Sequence, residues 1–330
     1  MTTFAPQCGF GCLRLLKTIP DKMTNRVLIR CKILQIAFSA YIDKGKSVEQ
    51  AEAEYAYSMQ KTYDLYILLL LLIVKITEEQ KERIERLRTR YVNPVADKDI
   101  DKRLANNRFA AQLSCNKMLV SYADKHADIS DVFTPALVKS LLDKITESDA
   151  YGAYIGSDKD DYDTDKGFWK KVVKEWACEP EIDEALEESS LYWNNDIDII
   201  VTFVVKTIKG FSEEEGASQS IIASFDAEPG AEFPGNLLRD TILNFTSNTR
   251  LIGECASNWE IERIANMDFV IMCMALTEIK LFPSIPINVT LSEYIELAKL
   301  YSTEKSATFI NGILDTLVKK LKKEGRLTKE

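Results

Sequence analysis

The sequence predicts an all-α protein, and three observations carry that prediction. Glycine and proline number only 13 and 9 among 330 residues, whereas a fold rich in strands needs many turns. Leu, Ile, Ala, Glu and Lys dominate the composition, and these residues favour helices. Apolar residues recur at helical spacing along much of the chain, and no segment shows the alternation of a strand that we would trust.

The first predicted helix is TNRVLIRCKILQIAFSAY, residues 24–41. Arg26 and Arg30 are four residues apart, so they share one face of it. The apolar stripe beside that face, which repeats about every 3.5 residues, consists of Val27, Cys31, Leu34, Phe38 and Tyr41.

The second predicted helix begins at a capping box. Ser47 and Gln50 have the spacing at which each side chain can bond the other's backbone N–H. The helix continues through EQAEAEYAYSMQ and on into the apolar run ILLLLLIV, residues 67–74. That run is too short to span a bilayer, and charged residues flank it. It therefore predicts a helix that is buried on all sides.

Further helices are predicted through the middle of the chain. A charged helix from Thr77 to Tyr91 is expected to end before Asn93-Pro94. Residues 156–167 predict an acidic loop. Helical patterns surround that loop and cover residues 100–124, 134–147, 167–177, 181–189 and 191–209.

The last third of the chain has the most regular pattern. An amphipathic helix is expected over residues 237–252. Ser257 with Glu260, and Thr290 with Glu293, have capping-box spacing and predict the starts of the next two helices. The last helix is expected to end in a lysine-rich turn, which suits the negative end of a helix dipole. Its apolar face consists of Ile310, Ile313, Leu314, Leu317 and Leu321.

Charge and cysteine content narrow the function classes. The net charge is −9, so a nucleic-acid partner would have to be bound by a local basic patch. Seven scattered cysteines without a CxxC pair, and the single histidine His126, argue against a zinc site or a disulfide framework. We expect reduced cysteines in a cytoplasmic protein. Residues 1–22 have no apolar core for a signal peptide, so they predict a disordered tail or a mis-assigned start before Met23.

Two short patterns suggest chemistry, and neither predicts an enzyme. Ser302-x-x-Lys305 has the spacing of a serine nucleophile and its lysine, but the S-D-N and K-T-G elements of such enzymes are absent. The aspartates at 161, 163 and 165 have calcium-loop spacing, but the glycine comes one place late and Val172 stands where the ligating glutamate belongs. A solvated acidic loop is the simpler interpretation.

The dipeptide Asn311-Gly312 lies inside a predicted helix, where glycine costs about 1 kcal/mol relative to alanine. Either another helix packs closely at Gly312 or a binding partner approaches there. The preceding turn holds a cation, two hydroxyls and an aromatic ring, which could form a platform for phosphates and bases. These residues are Lys305, Ser306, Thr308 and Phe309.

Three segments resemble the transcription antitermination factor NusB family, in the family's order. The family's C-terminal signature resembles the segment EYIELAKLYSTEKSATFINGILDTLV. The family helix before it resembles NWEIERIANMDFVIMCMALTEI, and the family's arginine-bearing first helix resembles NRVLIRCKILQIAFSAY. The resemblance covers residues 23–60 and 235–325. It implies an all-α, NusB-like helical bundle of two packed subdomains, into which residues 61–234 are inserted as a helical segment of unknown role.

The resemblance also implies a function without catalysis or cofactor. The family binds boxA-type single-stranded RNA together with ribosomal protein S10 (NusE), and helps RNA polymerase resist termination, notably on ribosomal RNA operons. The alternative is a helical protein-interaction module that has lost RNA binding. By position, the implied RNA contacts are Arg26, Arg30, Lys305, Ser306 and Thr308, and the implied contacts with the protein partner are Phe38, Asp268 and Phe309.

Overall fold

The computed structural model describes residues 25–89, 101–225, 232–255 and 264–327, and all the regular elements in these ranges are helices. The all-α prediction is confirmed. Four expectations lie outside the described residues: the tail 1–22, the start at Met23, the helix stop at Asn93-Pro94, and the capping box of Ser257 and Glu260.

Fourteen α-helices lie in the described ranges, joined in places by short 3-10 turns. In chain order they are α1 Asn25–Ile42, α2 Val48–Arg88, α3 Arg108–Ser114, α4 Lys117–Lys125, α5 Pro135–Glu147, α6 Asp149–Ile155, α7 Tyr162–Glu175, α8 Pro180–Ser189, α9 Ile197–Gly210, α10 Glu232–Leu243, α11 Phe245–Cys255, α12 Asn266–Leu281, α13 Ile287–Tyr301 and α14 Glu304–Lys323.

The chain divides into two compact units. The discontinuous unit consists of Lys22–Met59 together with Asp226–Glu330, and the inserted unit contains Gln60–Phe225. The predicted domain limits, 60/61 and 234/235, come from the resemblance; the roles of the two parts stay predictions.

Helix α12 forms the centre of the discontinuous unit. Its side chains are buried continuously from Asp268 to Ile279, and α1, α10, α11, α13 and α14 pack around it. A helix that is apolar on all sides must be surrounded in this way. Each fully buried Leu, Ile or Met of this helix contributes about 1.5–3 kcal/mol to folding.

Helices α1 and α14 run in opposite directions beside α12. The ring of Tyr41, near the end of α1, lies 5.0 Å from the ring of Phe269, near the start of α12. The start of α14 lies beside the start of α12, and Val318, late in α14, clusters with Ile279, late in α12. The discontinuous unit thus has two ends, called here the Asp268 end and the Glu278 end.

The two capping boxes within the described residues have opposite outcomes. Ser47 and Gln50 exchange the predicted bonds: Gln50 N–H donates to Ser47 Oγ at 3.2 Å, and Ser47 N–H donates to Gln50 Oε1 at 2.9 Å. The box at Thr290 is wrong, because α13 already begins at Ile287, directly after Pro286. Proline near a helix start favours initiation, since its φ is preset.

Helix α2 is the long helix predicted through the leucine run, and residues 65–70 within it are almost fully buried. The charged helix predicted to begin at Thr77 is not separate, because α2 continues without a break to Arg88. Among the described residues, none of the helices is long and apolar enough to cross a membrane. The single helices expected over 100–124 and 237–252 are each broken into two. In the first case Asn116 interrupts the pattern, because its side chain accepts from the N–H groups of Met118 and Leu119 and starts α4.

The acidic segment is partly helical. Asp161 caps α7 by accepting from Thr164 N–H at 2.7 Å. Asp165 is buried and accepts from Tyr154 Oη at 2.6 Å and from Arg108 N–H at 2.8 Å. These bonds give two of the three aspartates structural partners. The described ranges hold no group of three or more side chains suited to a metal ion.

The cysteines differ in part from the expectation. Cys31, Cys115, Cys255 and Cys273 are not in disulfide bonds. Cys178, however, is disulfide-bonded, which corrects the expectation that all the cysteines are reduced.

Candidate functional site

The predicted RNA contacts lie at both ends of the discontinuous unit. Arg26 and Arg30 are at the Glu278 end, whereas Lys305, Ser306 and Thr308 are near the Asp268 end. Helix α14 separates them, since the 18 residue-to-residue steps from Lys305 to Lys323, its last residue, span about 27 Å. The structure therefore does not gather the predicted RNA contacts into one patch.

Arg30 is a core residue and not an exposed RNA contact. Its side chain is 1% exposed, and its Nε and Nη2 donate to Oε2 and Oε1 of Glu278, each at 2.9 Å. Thr290 Oγ1 donates to the same carboxylate at 2.9 Å, and Tyr294 Oη donates to it at 3.1 Å. The Arg30 guanidinium also lies 5.3 Å from the ring centre of Phe233. Four helices meet at this cluster.

The electrostatics of Arg30 agree with that structural role. Burial is the largest single influence and by itself lowers the pKa of the guanidinium. The hydrogen bonds to Glu278, together with the charge interactions with Tyr294, Glu278 and Glu293, outweigh it and raise the pKa of Arg30. Breaking such a buried pair from one side costs about 3–5 kcal/mol, because one charge is left buried and unpaired. The predicted assignment of Arg30 to RNA is corrected accordingly.

Arg26 differs from Arg30 although both lie on α1. Its side chain is exposed, and its backbone carbonyl accepts from Arg30 Nη1 at 3.2 Å. Of the two arginines predicted to contact RNA, Arg26 alone presents its guanidinium to solvent in this structure.

Asp268, which is predicted to contact the protein partner, is also largely buried. The residue is 5% exposed, and Ser302 Oγ donates to its Oδ1 at 2.5 Å. This bond ties the start of α12 to the turn between α13 and α14. Ser302 thus directs its hydroxyl proton to Asp268 and not to Lys305, the base that the Ser-x-x-Lys pattern would require. Asp268 therefore positions the turn, and its role as a direct contact with the protein partner stays a prediction.

The turn after Ser302 presents polar groups at the start of α14. Thr303 caps the helix by accepting from Ser306 N–H at 3.1 Å, and the two hydroxyls lie 2.9 Å apart. Lys305 and Thr308 are exposed, and Ser306 is half-buried. A cation, hydroxyls and the free N–H groups of a helix start are the groups that bind phosphate.

Two half-buried aromatic residues lie at the Asp268 end of the unit, near this turn. Phe38 is half-buried on α1, between Gln35, whose Nε2 donates to Tyr301 Oη at 3.0 Å, and Tyr41, whose ring packs on Phe269. Phe309 is half-buried in the second turn of α14. The predicted partner residues Phe38 and Phe309 thus share the Asp268 end with the exposed Lys305.

Gly312 is exposed on α14, and a Cβ built there meets nothing within 4 Å. The expectation that another helix packs closely against it is therefore wrong for the described part of the chain. The approach of a separate partner stays a prediction.

The buried cluster around Glu278 was missed by the sequence reasoning, although a signal was present. Glu278 closes the apolar run FVIMCMALTEI, and a charge in a helix buried on all sides requires a partner. Arg30, in a similarly apolar helix, was the natural candidate.

Comparison with known proteins places the discontinuous unit in a family. The NusB family profile matches residues 226–319. The relatives that the chain matches include proteins named "Transcription antitermination protein NusB". The one from Salinibacter ruber is 35% identical over 132 residues, which cover 38% of this chain and 82% of the relative.

Two further relatives are covered less completely. The protein from Syntrophotalea carbinolica is 37% identical over 103 residues, or 31% of this chain and 63% of the relative. The protein from Alkaliphilus oremlandii is 37% identical over 91 residues, or 28% of this chain and 66% of the relative. The chain thus spans slightly less than two thirds of these two. No solved structure matches it.

Proposed function

The chain belongs to the NusB family, and from that premise we propose that it is a transcription antitermination factor that binds boxA-type RNA together with ribosomal protein S10 (NusE). The pair joins the RNA polymerase antitermination complex, notably on ribosomal RNA operons. The protein acts in the cytoplasm as a non-enzymatic adaptor without a cofactor. The inserted unit has no assigned part in this function.

The observation that carries the proposal is the grouping at the Asp268 end. Exposed Lys305 and Thr308 stand beside the half-buried aromatics Phe38 and Phe309. This combination suits a surface at which RNA and a protein partner are bound side by side. The bond between Ser302 and Asp268 holds the turn that carries Lys305 in place.

The charge of the protein supports binding as a pair. At a net charge of −9 the chain has little general attraction for RNA, so its own affinity is expected to be weak. A basic ribosomal protein would supply the missing phosphate contacts. The mixture is therefore expected to bind RNA much more tightly than either protein alone.

The test is fluorescence anisotropy of a labelled boxA-type RNA, titrated with this protein, with S10, and with both. Arg26→Ala and Lys305→Ala are each expected to weaken binding by the mixture by about threefold to fivefold, the effect of one lost phosphate contact at physiological salt. Lys171→Ala is the matched control, because Lys171 is an exposed lysine on α7 of the inserted unit. Phe38→Ala is expected to weaken binding of S10 even without RNA.

Two results would contradict the proposal in different ways. If S10 binds but does not increase RNA affinity, the protein is an interaction module that has lost RNA binding. If neither S10 nor RNA binds while circular dichroism shows a folded helical protein, both parts of the proposal are wrong.

A further inference from the structure

The Glu278 end of the discontinuous unit carries a cluster of cations that has no part in the surface proposed at the Asp268 end. The C-terminal basic cluster is defined here by residues from the last turns of α12 and α14 and the segment after α14. Its members are Lys280, Lys320, Lys322, Lys323 and Arg326.

The chain after α14 folds back in a defined turn. Gly325 has a φ of 67°, a backbone conformation that favours glycine, and its N–H donates to the Lys322 carbonyl at 3.1 Å. Arg326 N–H donates to the Leu321 carbonyl at 3.0 Å. These two bonds form a Schellman motif, which ends the helix and reverses the chain.

An apolar anchor holds the reversed segment. Leu327 packs against the small core cluster of Ile279, Ile287 and Val318. Arg326, the residue before it, is thereby held near Lys280, the cation in the last turn of α12. The fold thus uses a positive-φ glycine and a packed leucine to bring two like charges together.

The surroundings neutralise only part of this charge. Lys320 pairs with Glu254 at 2.6 Å, and Arg326 pairs with Glu324 at 2.9 Å. Lys280 Nζ lies 3.4 Å from the amide oxygen of Asn248, a neutral group. Within the described residues no carboxylate forms an ion pair with Lys280, Lys322 or Lys323.

The proximity of Lys280 and Arg326 is unfavourable even though Glu324 pairs with Arg326. Burial lowers the pKa of Lys280, and the positive charge of Arg326 lowers it further. A helix dipole explains lysines at the end of α14, but it does not explain why a second cation is turned back toward Lys280. A bound anion would relieve that repulsion.

We propose that the C-terminal basic cluster binds the phosphate backbone of single-stranded RNA, as a second contact region at the opposite end of α14 from Lys305. This inference rests on the proposed function and extends its RNA footprint. Lysines act as point charges toward phosphate, and they need no particular base. Exposed Arg26 lies at the same end of the unit. A strand that spans the roughly 27 Å length of α14 reaches both regions.

The test is the salt dependence of RNA binding by the full chain with S10. The triple variant Lys322→Gln/Lys323→Gln/Arg326→Gln keeps polar side chains at these positions but removes three charges. For single-stranded RNA the slope of log affinity against log salt changes by roughly 0.7 per phosphate contact, so we expect it to become shallower by about two. Affinity at physiological salt should fall roughly tenfold or more.

The matched control removes three charges elsewhere. Lys170, Lys171 and Lys174 lie on α7 of the inserted unit, and their replacement by glutamine is expected to leave slope and affinity unchanged. A second variant, Gly325→Ala, keeps all the charges but strains the turn that positions Arg326. It should weaken RNA binding by a few-fold, which a simple effect of net charge would not do.

The outcomes separate the two proposals. If the triple variant binds RNA with the affinity and the salt slope of the wild type, the basic-cluster proposal is overturned and the proposed function is left intact. An equal loss in the α7 control also overturns it, because the effect would then be one of net charge. Failure of the wild-type protein to bind RNA with S10 overturns the proposed function, and this inference with it.

Discussion

Arg30 and Glu278 form two parallel hydrogen bonds of 2.9 Å in the core of the discontinuous unit. The carboxylate also accepts from Thr290 and Tyr294, so its lone pairs are well used. The pair joins α1 to α12 and α13. It is one of the contacts that fix the first helix on the remainder of its unit, beside the packing of Tyr41 on Phe269.

Removing one partner of this pair should be severely destabilising. We expect Arg30→Ala to lower the free energy of unfolding by about 3–5 kcal/mol, because Glu278 is left buried without its counter-charge. Urea denaturation followed by circular dichroism measures the change. The double variant Arg30→Met/Glu278→Leu should recover much of the loss. Near-wild-type stability of Arg30→Ala would show that Arg30 is not held in the core.

The bond between Ser302 and Asp268 should be worth less but should show coupling. Ser302→Ala leaves a buried carboxylate with one bond fewer and is expected to cost about 1–3 kcal/mol. In a double-mutant cycle, Asp268→Ala should cost little more once Ser302 is gone. Thermal unfolding of the four proteins gives the cycle. Purely additive effects would mean that the two residues act independently.

Gly312→Ala should stabilise the isolated protein. A Cβ at this exposed helical position meets nothing within 4 Å, so the gain is about 1 kcal/mol from helix propensity. Urea denaturation measures the gain, and calorimetric titration of the variant with S10 tests whether a partner approaches Gly312. Weaker S10 binding despite higher stability would support that approach, and a destabilised variant would contradict the open surroundings of Gly312.

Asp198 should make the stability of the inserted unit depend on pH. Burial, with a smaller effect from Asp183, raises the pKa of Asp198 from its ordinary value of 3.8 to about 6. The folded state therefore holds the proton more tightly than the unfolded state. The stabilisation by this group is complete below about pH 4 and is lost as the pH rises through about 6.

Asp198→Asn should accordingly be more stable than the wild type at pH 8, on the order of 1–2 kcal/mol after allowance for partial exposure. The advantage should shrink as the pH falls toward 4. Urea midpoints at pH 5 and pH 8 test this, with Asp158→Asn as an exposed control. An equal effect of Asp198→Asn at both pH values would contradict the raised pKa.

Local patterns predicted the helical class and many of the helices, because helix periodicity and caps depend on neighbouring residues. The capping box of Ser47 and Gln50 formed as expected. The capping box predicted at Thr290 was wrong, because α13 begins earlier, after Pro286, and because the Thr290 hydroxyl donates to Glu278. The fate of Arg30 depended on a glutamate 248 residues away, which no local pattern reveals. Local patterns also give no distance between residues far apart in the chain. Arg26 and Lys305 were therefore both predicted to contact RNA, although the length of α14 separates them.

The separation of Arg30 from Glu278 also has a consequence for how the protein is made. Helix α1 leaves the ribosome long before α12 exists, and 248 residues must be added before the pair can form. At about 5–20 residues per second the wait is on the order of ten to fifty seconds. Throughout that time α1 carries an unsheltered apolar face, and the inserted unit, which ends at Phe225, is complete before Glu278 is added. The nascent first helix is thus the part of this chain that a chaperone has most reason to cover.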